Sequence, residues 1–194
     1  MVEPEICVGI DATNIRSGGG LTHLFELLEN LKPKELNIRK VIVWSSSNTN
    51  KKLPNKDWLI KKSPSAINKN IAIRTIWQTF FLSKSVKKNN CDVLFVPGGI
   101  YLGSFKPIVS MSQNLLPFDK TEFLRFGFSR TTLRFILLRI FQSRTFKKSD
   151  GIIFLTKYAR EVVSRVVGDF SASTIIPHGI SSKFFLEPKK HNHF

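Results

Sequence analysis

The fold class this sequence predicts is α/β, a Rossmann-like parallel sheet flanked by helices. Three observations predict it. Short apolar runs recur at residues 6–10, 38–44, 93–96, 107–111, 151–155 and 173–177, each strand-length and each followed by a polar residue or proline. Between several of them lie segments with helical spacing, such as Leu24, Leu27, Leu28 and Leu31. A run of three glycines, Gly18 to Gly20, stands where the first strand gives way to the first helix. Strands that alternate with helices pair in parallel through right-handed crossovers.

Taken in order, the first strand is expected at Ile6 to Ile10 and the first helix at Thr22 to Leu31, with a glycine loop between. Glycines let backbone N–H groups approach a ligand closely, and a helix start adds partial positive charge, so this loop suits phosphate or carboxylate. It suits equally a plain turn needing positive φ. Gly18-x-Gly20 is followed by His23 where a dinucleotide fingerprint needs its third glycine, and no acidic residue closes the second strand to hold a ribose. A nicotinamide cofactor is therefore not expected, and no phosphate-loop motif for nucleoside triphosphates occurs.

The second strand is expected at Ile38 to Trp44. Residues 45–70 read mostly as loop, with Lys51, Lys52, Lys56, Lys61, Lys62 and Lys69 either contacting phosphate or simply solvated. Helix is expected within Ile71 to Lys88, with lysines at its end where cations suit the dipole. Val93 to Val96 forms a strand that stops at Pro97-Gly98-Gly99; Pro107 to Met111 forms the next, left by Ser112-Gln113-Asn114. Gly151 to Leu155 is a strand, Thr156 caps a helix from Lys157 to Val167, and Ser173 to Pro177 is the last strand, followed by His178-Gly179. Ligands of such sheets sit beyond the carboxyl ends of the strands. Asp11 to Gly20, Pro97 to Tyr101, Ser112 to Pro117, Thr156 and His178-Gly179 are thus expected on one rim.

The 194 residues carry 30 Lys and Arg against 14 Asp and Glu, a formal charge of +16, which points to a polyanionic partner: nucleic acid or an anionic membrane surface. Cys7 and Cys91 stand in no metal-binding spacing and read as two buried thiols of a reducing compartment. Met1 is followed by Glu3, Glu5 and the first strand rather than by a basic and apolar leader, so the expected location is cytoplasmic. No run approaches the ~20 apolar residues of a membrane span.

The charge is densest at Lys120 to Lys148, where Arg125, Arg130, Arg134, Arg139, Arg144, Lys147 and Lys148 join Lys120 against Glu122 alone. At about 100° per residue, Arg130, Arg134, Arg144 and Lys148 fall near one helical direction. Two readings fit: a core helix with a basic stripe, or a helix on anionic headgroups with Phe126, Phe128 or Phe141 dipping in. No nucleic-acid-binding motif accompanies the charge, and nucleic acid is the least favoured partner.

The ordered set Gly9-Ile-Asp-Ala12 with Gly18-Gly-Gly20-x-x-His23, Asp92 to Gly99, Val109 to Phe118, Ser149 to Tyr158 and Ile175-Ile-Pro-His-Gly-Ile180 resembles the amino-terminal domain of family 4 retaining glycosyltransferases. The resemblance implies one half of a GT-B two-domain architecture, with residues 1–181 as the acceptor-side domain and 182–194 as linker or tail. It implies sugar transfer from a nucleotide-sugar to a glycan or glycolipid acceptor, with no metal or other cofactor. Gly18, Gly19 and Gly20 match the loop facing the donor diphosphate. Arg16, Gln113, Asn114 and Thr156 belong to the acceptor side of the cleft. Gln113 stands where many members have a catalytic His; glutamine hydrogen-bonds a hydroxyl but does not titrate, so an orienting role is expected there. His23 and His178 are expected in structural or capping bonds.

The family's carboxy-terminal domain grips the donor with a basic residue and an E-x7-E pair, and no E-x7-E occurs in residues 1–194. The expectation is a polypeptide inactive alone, because half of the clamp on the leaving diphosphate is missing. Three functions are carried forward. The first is the acceptor-binding half of a glycosyltransferase at the cytoplasmic membrane face, with Arg130, Arg134, Arg144 and Lys148 on the membrane. The second is a noncatalytic or split-enzyme subunit that docks on the membrane and needs a separate donor-binding chain. The third is a basic nucleic-acid-binding domain.

Overall fold

The strand Ile38–Trp44 ends in four consecutive buried residues, and their side chains alternate between two cores. Val41 and Val43 join Ile10, Leu24, Leu28 and Leu59 on one face; Ile42 and Trp44 join Cys7, Leu82, Val86 and Leu94 on the other. Burial on both faces is why the strand is continuously apolar rather than alternating. The computed structural model describes residues 5–119, 125, 127 and 129–179. In order the elements are β1 (Ile6–Asp11), α1 (Gly18–Asn30), β2 (Ile38–Trp44), α2 (Ser47–Asn50), β3 (Leu59–Lys62), α3 (Ile71–Phe80), α4 (Leu82–Lys88), β4 (Val93–Val96), β5 (Ile108–Ser112), α5 (Arg130–Lys148), β6 (Gly151–Phe154), α6 (Lys157–Val167) and β7 (Ser173–Ile175).

All seven strands are parallel, in the order β3-β2-β1-β4-β5-β6-β7. The chain leaves β1 toward one edge and returns to β4 toward the other, so the switch point lies between β1 and β4. Right-handed crossovers put α1 on one face and α3 to α6 on the other. A third cluster of Phe146, Ile152, Phe154, Val162 and Val163 holds α5 and α6 to the sheet. The α/β class and the parallel sheet are as the sequence predicts.

Three local expectations are corrected. The glycines are the first turn of α1 and not a loop before it. Residues 45–70 contain α2 and the edge strand β3, whose short Leu-Ile-Lys-Lys run has too few apolar residues to declare itself. Residues 71–88 divide into α3 and α4 at Phe81. The tail at 182–194 lies outside the described residues, as do Phe126 and Phe128.

Aspartates just ahead of strands tie the sheet's amino end. Asp92 Oδ2 accepts from Cys7 N at 2.7 Å, and Asp150 Oδ2 accepts from Ile108 N at 2.9 Å. That backbone bond, with Lys106 adding to it, holds the Asp150 carboxyl below its ordinary range. Cys7 and Cys91 are buried thiols with Sγ atoms 3.6 Å apart, and burial pushes Cys91 up to about 12.

Tyr101 links the helices of the second layer. Its hydroxyl pairs with Ser83 Oγ on α4 at 2.8 Å and accepts from Phe105 N at 2.8 Å, while its backbone N donates to Thr145 Oγ1 on α5 at 2.9 Å. A Cβ on Gly103 would stand 2.5 Å from Ser83 Oγ and 2.6 Å from the Tyr101 hydroxyl, both fixed by these bonds. Gly103→Ala should therefore cost about 1–3 kcal/mol, the range for overpacking a filled site, measured as a lower urea midpoint at unchanged slope.

Candidate functional site

β1 ends in a buried carboxylate. Asp11 Oδ1 accepts from Thr13 N at 3.1 Å and from Thr13 Oγ1 at 2.7 Å, and Oδ2 accepts from Gln78 Nε2 at 2.5 Å. Gln78 Nε2 also donates to the Ile100 carbonyl at 3.1 Å, which joins the exits of β1 and β4 across the switch point. Burial raises the Asp11 pKa above the ordinary carboxylate value of 3.8, against the opposing pull of the Thr13 and Gln78 hydrogen bonds.

The segment after Asp11 is fastened along its length. Thr49 Oγ1 donates to the Ile15 carbonyl at 2.8 Å, Arg74 Nε donates to Asn14 Oδ1 at 3.0 Å, and Arg16 Nη2 donates to the Ile67 carbonyl at 2.6 Å. These bonds aim the chain into α1 at Ser17, whose backbone is extended and whose side chain makes no capping bond. Gly18 has φ of +67°, a left-handed conformation that favours glycine at this turn. No acidic residue lies in the first turn. The N–H groups that begin a helix have no intrahelical acceptor, and they carry partial positive charge.

This turn opens on a groove of about 850 Å³, lined by Gly19, Gly20, Thr22, His23, Glu26, Gln113 and His178 among others. A Cβ on Gly19 would meet nothing within 4 Å, and one on Gly20 would meet Gln113 Oε1 at 3.6 Å, an ordinary contact. Nothing inside the protein requires glycine at these two positions for space. Their bareness leaves the groove wall open to whatever enters it.

Of the residues the sequence singles out, the structure brings together Gly19, Gly20 and Gln113, and adds His23 and His178. The half-buried Gln113 comes from the exit of β5, and its Nε2 lies 3.4 Å from Met111 Sδ. The imidazoles of His23 and His178 meet edge to face at 4.6 Å. Burial, and then the neighbouring His178, lower the His23 pKa from 6.5, so the neutral ring is favoured. A helix residue and the exit of β7 meet here, a pairing that no spacing between positions 23 and 178 announces.

The others stand apart from the groove. Arg16 is drawn to Ile67 on the opposite side of its loop. Asn114 Oδ1 accepts from Leu116 N at 3.2 Å in a local turn. Thr156 is occupied as the cap of α6, accepting from Ala159 N at 3.0 Å. Lys148 is half-buried, donates to the Gly103 carbonyl at 2.8 Å and lies 4.5 Å from the Tyr101 ring centroid. It faces the domain, whereas Arg130, Arg134 and Arg144 are exposed. Sequence reasoning missed Gln78, Asn14 and Arg74 as organisers of the rim; the one available signal was a glutamine beside Trp77 in a helix rich in apolar residues.

Among the described residues, no group of three or more His, Cys, Asp or Glu side chains is arranged to hold a metal ion. No protein-family model matches this chain, and no curated protein matches it.

The raised Asp11 pKa has a defined sign. A carboxyl that holds its proton more tightly when folded contributes stability below its unfolded value, and that contribution is lost as pH rises through the folded value. The difference in thermal midpoint between wild type and Asp11→Asn should thus shrink from its value near pH 4 as pH rises toward neutrality. A constant difference in a pH series of melts would contradict the assignment.

Proposed function

We propose that this chain is the acceptor-binding half of a retaining glycosyltransferase, moving sugar from a nucleotide-sugar to a lipid-linked or polysaccharide acceptor. The observation that carries the reading is the bare glycine turn at the start of α1, opening into the groove opposite Gln113. The order of motifs resembling family 4 supports it, and so does the groove's place beyond the carboxyl ends of a parallel sheet.

The chemistry follows from the groups present. When the bond between the anomeric carbon and the donor phosphate breaks, negative charge grows on the departing diphosphate. Unpaired N–H groups at a helix start stabilise such charge without reorganising. Gln113 can donate to one sugar hydroxyl and accept from another, fixing orientation without exchanging a proton. Arg16 and Arg74 supply further positive charge beside the β1 exit, where burial and the nearby Arg16 lower the Arg74 pKa. The nucleotide is held outside this domain, on the rest of a longer protein or on a separate chain.

The membrane part of the reading rests on α5. Among the described residues no helix is long and apolar enough to cross a membrane, yet α5 exposes Leu133, Ile136, Leu137 and Ile140 beside Arg130, Arg134 and Arg144. An apolar face edged with arginine suits anionic headgroups. Nucleic-acid binding is left with the net charge alone as support.

Two measurements test these statements. Gly20→Val should weaken binding of inorganic pyrophosphate by tenfold or more in calorimetry while leaving the melting temperature near wild type; undiminished binding removes the turn from the mechanism. Replacing Arg130, Arg134 and Arg144 with Glu should abolish co-sedimentation with phosphatidylglycerol vesicles. Unchanged sedimentation, or tight salt-dependent binding to random DNA with none to vesicles, would refute the membrane assignment.

A further inference from the structure

A helix of a globular domain ordinarily turns its apolar stripe to the core. α3 does so only through the half-buried Trp77, which packs against the core beside Leu82 and Val86. Its inward side carries Gln78, buried and bonded to Asp11 and the Ile100 carbonyl, and the half-buried Arg74, bonded to Asn14. Ile73, Ile76 and Phe80, spaced i, i+3 and i+7, form one line on its outer side and are 41, 54 and 63% exposed. Ile71 at the start of the helix and Phe81 at its C-cap are also exposed, at other angles around the axis. Single exposed apolar side chains are ordinary, but a continuous ridge on one short helix marks a surface that something covers.

Charge says what kind of surface fits. From Trp58 to Cys91 the chain carries Lys61, Lys62, Lys69, Arg74, Lys84, Lys87 and Lys88 and no Asp or Glu. Lys69 stands just before the ridge, and Lys84, Lys87 and Lys88 follow it on α4; all four are exposed. The occupant is therefore apolar and anionic. It is also broad, because α5 presents its own exposed apolar face in the same layer, linked to α4 through Tyr101 and its partners Ser83 and Thr145. One compact peptide does not cover two separate helices, whereas a bilayer surface does.

We propose that α3 is a membrane-docking helix, inserting Ile73, Ile76 and Phe80 at the acyl boundary of an anionic bilayer with Lys69 and Lys84 among the headgroups. The inference rests on the membrane part of the proposed function and not on sugar transfer. Its consequence is positional: the bonds from Arg74 to Asn14 and from Gln78 to Asp11 tie the docked helix to the exit of β1, so docking holds that exit near the headgroups.

The test uses vesicles of phosphatidylglycerol with phosphatidylcholine and the full chain carrying Ile73→Ser, Ile76→Ser and Phe80→Ser together. The replaced side chains are exposed, so the melting temperature should stay near wild type, while the vesicle partition coefficient should fall at least tenfold. A single Phe80→Trp variant should be quenched by brominated acyl chains. An unchanged partition coefficient in the triple-serine variant overturns the docking helix; loss on replacing the α5 arginines would, in that case, leave the broader membrane reading standing. If wild type ignores vesicles altogether, both fail. If it dimerises in sedimentation while the serine variant is monomeric, the ridge is a protein interface and the proposal is wrong.

Discussion

The bonds of Gln78 to the Asp11 carboxylate and the Ile100 carbonyl are the constraint on which the candidate site depends. In a parallel sheet the loops that leave adjacent strands at the switch point have no strand pairing to hold them together. Here a buried glutamine spans them. The arrangement places a carboxyl in a low-dielectric position, where its charged form is disfavoured and only its hydrogen bonds offset the penalty. Everything downstream inherits its geometry: the Thr13 turn, the path past Asn14 and Arg16, and the angle at which α1 begins.

α1 itself trades stability for access. Three glycines in a first turn forgo helix propensity, and Ser17 supplies no side-chain cap. Such a start is weaker than one capped as Asn70 caps α3, Ser129 caps α5 and Thr156 caps α6. The contrast within one chain is informative. Four described helices, α2 through Ser46 among them, close their N-termini with a side chain, whereas α1, which faces the groove, has no side-chain cap. The His23 ring, kept toward its neutral form by burial and then by the neighbouring His178, adds no fixed positive charge to that groove, and the helix terminus lends it electropositive character.

The two outward-facing apolar helices follow from the same economy of contacts. α3 turns Gln78 and Arg74 to polar bonds that hold the rim and adds only Trp77 to the core, and α4 with Leu82 and Val86 supplies most of the apolar contact to the sheet. The hydrophobic stripe of α3 is thus left for an external surface. α5 divides its length differently. Phe135, Gln142, Thr145 and Phe146 point inward and Lys148 folds back over Tyr101, so the basic stripe read at even spacing along the helix loses its last member to the interior.

Much of the architecture is legible in the sequence, because burial on two faces writes itself there as short Val- and Ile-rich runs at β1, β2, β4, β5, β6 and β7. The cap at Thr156 and the helix it starts were equally plain, since capping depends on neighbours in sequence. What the sequence could not determine were features made by residues far apart. β3 owes its place to pairing with β2 rather than to its own Leu-Ile-Lys-Lys composition. The facing of His23 and His178, and the turning of α3 with its polar side inward, are set by sheet order and by which helix reaches the core first. Local chemistry determined which segments are strands and helices; tertiary packing alone decided which side chains share a surface, because that choice balances burial across the whole sheet and no single segment carries it.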